Sequence, residues 1–93
     1  MDADRRNAQA RREILAAYLM VLDRLEELVE TCSAVEGNTD ELRRAVQQAF
    51  GISPIAADAV LAMQVRRFTP SERHKIRNEL ADTDRWLQRS MQA

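Results

Sequence analysis

Few side chains in this sequence carry the chemistry of a catalyst, and each stands apart from the partners it would need. His74, the single histidine, lies between Arg73 and Lys75 with no second His or Cys at ligand spacing and no nucleophile beside it. It reads as a solvated surface residue. Cys32 is the single cysteine, so an internal disulfide is ruled out and a reducing compartment fits. The charges nearest to it, Glu30 and Glu36, are acidic and would not lower a thiol pKa, so an inert, packed thiol is expected. Tyr18, the single tyrosine, falls on an apolar repeat, where the ring is expected to pack. Arg66, Arg67, Arg73, His74, Lys75 and Arg77 form a basic cluster. It reads as a solvated face, with a weak phosphate contact as the sharper alternative; the aromatic interleaving of a single-strand binder is missing. No catalytic residue, metal site or cofactor is expected.

The composition narrows the classes further. The 93 residues make one domain with a modest core, and two Gly and two Pro are too few for the turns of a sandwich or barrel. Abundant Ala, Leu, Arg, Glu and Gln favour helix. Fourteen Lys plus Arg against fifteen Asp plus Glu leave a net charge of −1, so a general electrostatic grip on nucleic acid is not indicated. No apolar run suits a bilayer span or a signal peptide, and a cytoplasmic protein is expected.

The elements that must position these residues are helices. From about residue 4 to 35 neither Gly nor Pro occurs, and Leu15, Tyr18, Leu22, Leu25, Val29 and Cys32 follow one another at steps of three and four. That is the seam of a coiled coil, and the spacing predicts one long first stalk helix. Gly37 is placed at a left-handed C-terminal position, and Asn38 with Glu41 resembles a capping box opening a second helix over Thr39–Phe50, closed by Gly51. Ser53-Pro54 opens a third helix, expected to reach Phe68. Thr69-Pro70-Ser71-Glu72 opens a fourth, running to about Met91, with Ile76, Leu80, Leu87 and Met91 facing the first. The expected architecture is all-α: an antiparallel two-helix coiled-coil stalk (about 4–35 and 70–91) carrying a small two-helix globular knob (36–69). The seam is assigned to Leu15, Tyr18, Leu22, Leu25, Val29, Ile76, Leu80 and Leu87.

The third helix is unusual, because nine of the eleven residues from Ile55 to Val65 are apolar, interrupted only by Asp58 and Gln64. A surface helix has one apolar stripe, so this one is expected to be covered on both sides, by its own domain and by a partner. Ile55, Ala56, Ala59, Val60 and Met63 are assigned to the contact, with Leu61, Val65 and Phe68 facing inward; both faces are apolar, and helical spacing alone divides them.

This stretch resembles the A subunit of type IIA bacterial topoisomerases (DNA gyrase and topoisomerase IV) in the region that closes the exit gate. That family carries a small-apolar helix ending in Met-Arg-Leu, then Leu-Thr-Gly-Leu-Glu and a Lys-Ile pair. Ala57, Ala59, Val60, Leu61, Met63, Val65, Phe68, Thr69, Glu72, Lys75, Ile76 and Glu79 match by identity or close substitution, and Phe50-Gly51-Ile52-Ser53 resembles the Phe-x-Leu-Ser that precedes the helix. Glu13-Ile14-Leu15 and Glu26 extend the likeness into the first helix. It departs at Ala56 (Gln in the family), Gln64 (Arg) and Pro70-Ser71 (Gly-Leu).

The resemblance implies long coiled-coil arms ending in a helical globule, and a homodimer formed through the globules. It implies no catalysis here, since the tyrosine–arginine pair and magnesium carboxylates of cleavage lie in other domains. Arg5, Arg6, Arg11 and Arg12 fall where such a chain would continue toward its catalytic core, and are expected to be a frayed, solvated end. Contact with DNA would be weak or indirect, and a type IIA topoisomerase subunit is a possible partner. The starting Met and the polar ending Ser90-Met91-Gln92-Ala93 point to a natural small protein, with an excised segment as the alternative. Two rivals come from other classes. A small dimeric enzyme of chorismate-mutase type would need inward-facing Arg and Lys, whereas the arginines here avoid the seam. A helix-turn-helix DNA-binding protein would have to read bases with a helix of Ala, Val, Leu and Met, which offers almost nothing to base edges.

Overall fold

A computed structural model describes residues 2–92 and shows five α-helices, with no strand among them: α1 (Asp2–Leu22), α2 (Leu25–Ser33), α3 (Thr39–Phe50), α4 (Pro54–Leu61) and α5 (Pro70–Gln92). A short 3-10 turn, Val65–Phe68, precedes α5. The helix starts are those the cap residues specify. Asn38 accepts a hydrogen bond from the Glu41 amide at 3.0 Å, Ser53 Oγ from the Ala56 amide at 3.2 Å, and Thr69 Oγ1 from the Glu72 amide at 3.3 Å. Each satisfies one of the orphan donors of a first turn. The left-handed glycine is Gly51, at φ 65°, where the α3 C-terminus closes onto the Gln47 carbonyl; Gly37 is not left-handed, contrary to expectation.

The long first helix is two helices. The backbone departs from helical geometry at Arg24 (φ −133°, ψ 44°), where the Arg24 amide donates to the Val21 carbonyl at 2.9 Å. Nothing in the local sequence calls for this break. Two arginine side chains tie it to other helices: Arg73 on α5 donates to the Leu22 carbonyl at 2.7 Å, and Arg24, at the break itself, reaches the Ala49 carbonyl at 3.3 Å while lying over the Phe50 ring. The phase of α2 therefore shifts, and the seam ends with it. Leu15 and Leu22 are buried with Ile76, and Leu80 packs beside them, but Val29 is 62% exposed. Leu25 is half-buried between two clusters, and Cys32 joins the one on the α3–α4 side. On α5, Leu87 is buried and Met91, assigned to the same row, is exposed.

The shape is correspondingly different from a stalk bearing a knob. α1 and α5 do run antiparallel, joined by Arg5 to the Ser90 carbonyl (2.8 Å), by the pairs Arg12–Asp84 and Arg11–Glu79, and by Arg73 to Leu22. But α4 lies along α1 rather than beyond its end. Ala17 and Val21 on one face of α1 are buried with Val46, Phe50, Ala56, Ala57 and Val60, while Leu15 and Leu22 on another face meet α5. With one helix serving two neighbours, the molecule is a compact globule of 49 × 28 × 17 Å. The N-terminal arginines are correspondingly not a frayed end: Arg5, Arg11 and Arg12 strap helical α1 to α5.

Candidate association surface and the adjoining cleft

α4 is held by its inner face. Ala56, Ala57 and Val60 are buried, and their small side chains let the helix approach α1 and α3 closely. Ala56 and Val60, assigned from spacing to an outer contact, are thus part of the chain's own core. Ile55 is 61% exposed, and Ala59 and Ala62, four and seven residues on, share its outer face with partial or full exposure. Asp58 stands at the edge of this face, 3.5 Å from Arg43.

The helix does not continue to Phe68. It stops at Leu61, with Ala62 as C-cap, and extended backbone at Gln64 (ψ 144°) leads into the 3-10 turn. An unbroken helix would have carried Met63 and Phe68 onward in the phase of α4. The stop lets both turn onto the α1–α5 core, where they pack beside Leu15, Leu22 and Ile76. Met63 is half-buried there, touching both core clusters, and Val65, expected inside, is 75% exposed.

The basic cluster separates into residues with different duties. Arg66 pairs with Glu72 at 3.4 Å, and among the described residues no hydrogen bond runs from the Thr69 amide to the Glu72 carboxylate, so only the Thr69 half of the capping box is made. Arg73 supports the α1 terminus and lies 3.4 Å from Asp23. His74, Lys75 and Arg77 line the outer side of α5 and are all exposed, His74 as the surface residue its sequence setting suggests. Arg67 stacks on the ring of Tyr18, its guanidinium carbon 5.6 Å from the ring centre. Sequence reasoning missed this pair, because the residues are far apart in the chain and only the 3-10 turn brings them together.

Beside that pair is a cleft of about 480 Å³ between α1, the 3-10 turn and α5, walled by Ala10, Ile14, Leu15 and Tyr18 and carrying Asn7, Arg11, Arg67 and Glu79. No hydrogen bond joins Arg67 to the Tyr18 hydroxyl among the described residues, so the arrangement is a stacked pair, not an activated phenol. Also among the described residues, no group of three or more His, Cys, Asp and Glu side chains could hold a metal ion, and no helix is long and apolar enough to cross a membrane. Cys32 is half-buried, and desolvation pushes its thiol pKa up. The hydrogen bond from Arg24 holds the Glu27 carboxyl below its usual value.

The described fold is thus an all-α, five-helix unit with one outward apolar helix face. The chain is similar to a short region of the DNA gyrase A protein. It is 37% identical over 75 residues to that of Dehalogenimonas lykanthroporepellens, covering 81% of this chain and 9% of the relative. With the gyrase A protein of Helicobacter pylori it shares 35% identity over 72 residues, 77% of this chain and 9% of that protein. With that of Streptococcus pneumoniae it shares 34% over 79 residues, 85% of this chain and 10% of that protein. The chain therefore spans about a tenth of the length of the curated relatives it matches. No protein-family model matches it.

Proposed function

We propose that this chain is a non-catalytic association module equivalent to the exit-gate dimerisation region of the gyrase A protein, and that it pairs with a second copy through the outer face of α4. The observation that carries this reading is Ile55, a large apolar side chain 61% exposed on a helix whose other face is already buried in its own core. Ala59 and Ala62 beside it are small enough for two backbones to approach closely. Val65 adds a further exposed apolar side chain just past the helix end. The interface residues are accordingly Ile55 and Ala59 of the sequence-based set, with Val65 added and Ala56, Val60 and Met63 acting from behind. A type IIA topoisomerase chain bearing the same surface is the alternative partner. In either case the module serves the control of DNA topology in the cytoplasm, with any contact to DNA weak or indirect.

The test is to place a charge on that face. A substitution in a two-fold interface meets its own copy, so Ala59→Glu or Ile55→Glu brings two like charges together in a desolvated contact. Light scattering is expected to show a dimer for the unsubstituted chain and a monomer for each variant, with native helicity in circular dichroism because Glu is a good helix former. A full-strength dimer in both variants, or a monomeric parent chain, removes the support for this reading.

A further inference from the structure

We propose that the cleft between α1, the 3-10 turn and α5 binds a small organic monoanion, a carboxylate carried on an apolar body, with Arg67 as its charge partner. The volume of about 480 Å³ is that of a cavity for a small ligand. Three charged residues line it, and they are not equivalent. Arg11 and Glu79 are paired with each other at 2.6 Å. Arg67 has no acceptor for its side chain among the described residues. Its Nε is shut off from solvent and so from a ligand as well, but its two terminal nitrogens are not shut off and are the donors left for an acceptor in the cleft. A lining guanidinium whose reachable terminal nitrogens have no protein acceptor is suited to a carboxylate brought from outside.

The charge balance selects the ligand. Arg11 and Glu79 cancel, leaving one positive charge in the cleft, which matches a monoanion. A dianionic phosphate would carry excess charge next to the Glu79 carboxylate. The wall selects the rest: Ala10, Ile14, Leu15 and Tyr18 offer an apolar surface against which a ring or branched chain loses water. Tyr18 also holds the Arg67 guanidinium in place by stacking, which reduces the freedom lost on binding. No lining residue belongs to α4, so this site is independent of the association surface.

Benzoate is the probe, followed by NMR on the intact chain. Saturable shifts of the Tyr18 ring and Arg67 Nε–H signals are expected, with nuclear Overhauser contacts from the benzoate ring to Ile14 and Tyr18. Arg67→Gln should weaken binding roughly tenfold or more, the loss of a charge-assisted pair. Benzyl alcohol, which lacks the charge, and inorganic phosphate, which lacks the apolar body, should each bind more weakly than benzoate. No saturable shift at millimolar benzoate, or contacts mapped to another surface, overturns the proposal. Equal binding of phosphate removes the role of the apolar wall, and equal binding of benzyl alcohol removes that of Arg67. Should Arg67→Gln fail to fold, the contact map on the unsubstituted chain still decides.

Discussion

The guanidinium of Arg73 donates to the carbonyl of Leu22 at 2.7 Å across 51 residues of sequence, and lies 3.4 Å from the Asp23 carboxylate. One side chain from the start of α5 thus closes the C-terminus of α1, where the carbonyls of a last turn lack partners and positive charge is favoured. It both locks the antiparallel pair and stabilises the break that turns α2 onto α3.

Arg73→Met keeps most of the apolar stem but removes the donors, and should destabilise the fold by about 1.5–3 kcal/mol, the value of a hydrogen bond involving a charged group. Urea unfolding measures the loss. Hydrogen exchange should quicken first at the α1–α2 junction. A variant of full stability with unchanged exchange there would mean that the break is held by other contacts.

Ile76 and Val29 share the seam by spacing, and the structure separates them. Ile76 is 0% exposed and Val29 is 62% exposed. Ile76→Ala should cost about 2–5 kcal/mol, and Val29→Ala should stay within about 0.5 kcal/mol. Similar losses at the two positions in denaturant unfolding would restore the continuous coiled coil.

The two glycines should respond differently to alanine. Gly51 sits at φ 65° with open space around its Cα, so Gly51→Ala should cost about 1–2 kcal/mol from backbone conformation alone. At Gly37 an added Cβ meets only the far end of the Glu41 side chain, which can swing away, so Gly37→Ala should be nearly neutral. Thermal melts of the two variants compare them directly.

Desolvation raises the Cys32 pKa, so the thiolate is a minor species at neutral pH. Alkylation by iodoacetamide should be slower than in the urea-unfolded chain, with its pH midpoint displaced upward. The sign for stability follows. The unfolded chain releases this proton at lower pH than the folded one, so the contribution of Cys32 is intact below the unfolded pKa and declines as pH rises through the window between the two. A midpoint at or below that of the unfolded chain would contradict the burial.

The local chemistry of the chain was legible without a structure. Asn38, Ser53-Pro54 and Thr69-Pro70 each specify a helix start within three or four residues of themselves, and those starts are where the structure has them. The antiparallel meeting of α1 and α5 was also readable, because Leu15, Leu22, Ile76, Leu80 and Leu87 repeat at helical spacing. What the sequence left open depends on contacts between distant residues. The break at Asp23–Arg24 has no Gly or Pro to announce it; it exists because Arg73 and Arg24 supply partners from α5 and toward α3. The division of α4 into an inner and an outer face was equally hidden, because Ala and Val suit both. Tertiary packing decided it: α1 presents Ala17 and Val21, whose small surfaces accept Ala56, Ala57 and Val60, and this leaves Ile55 in solvent.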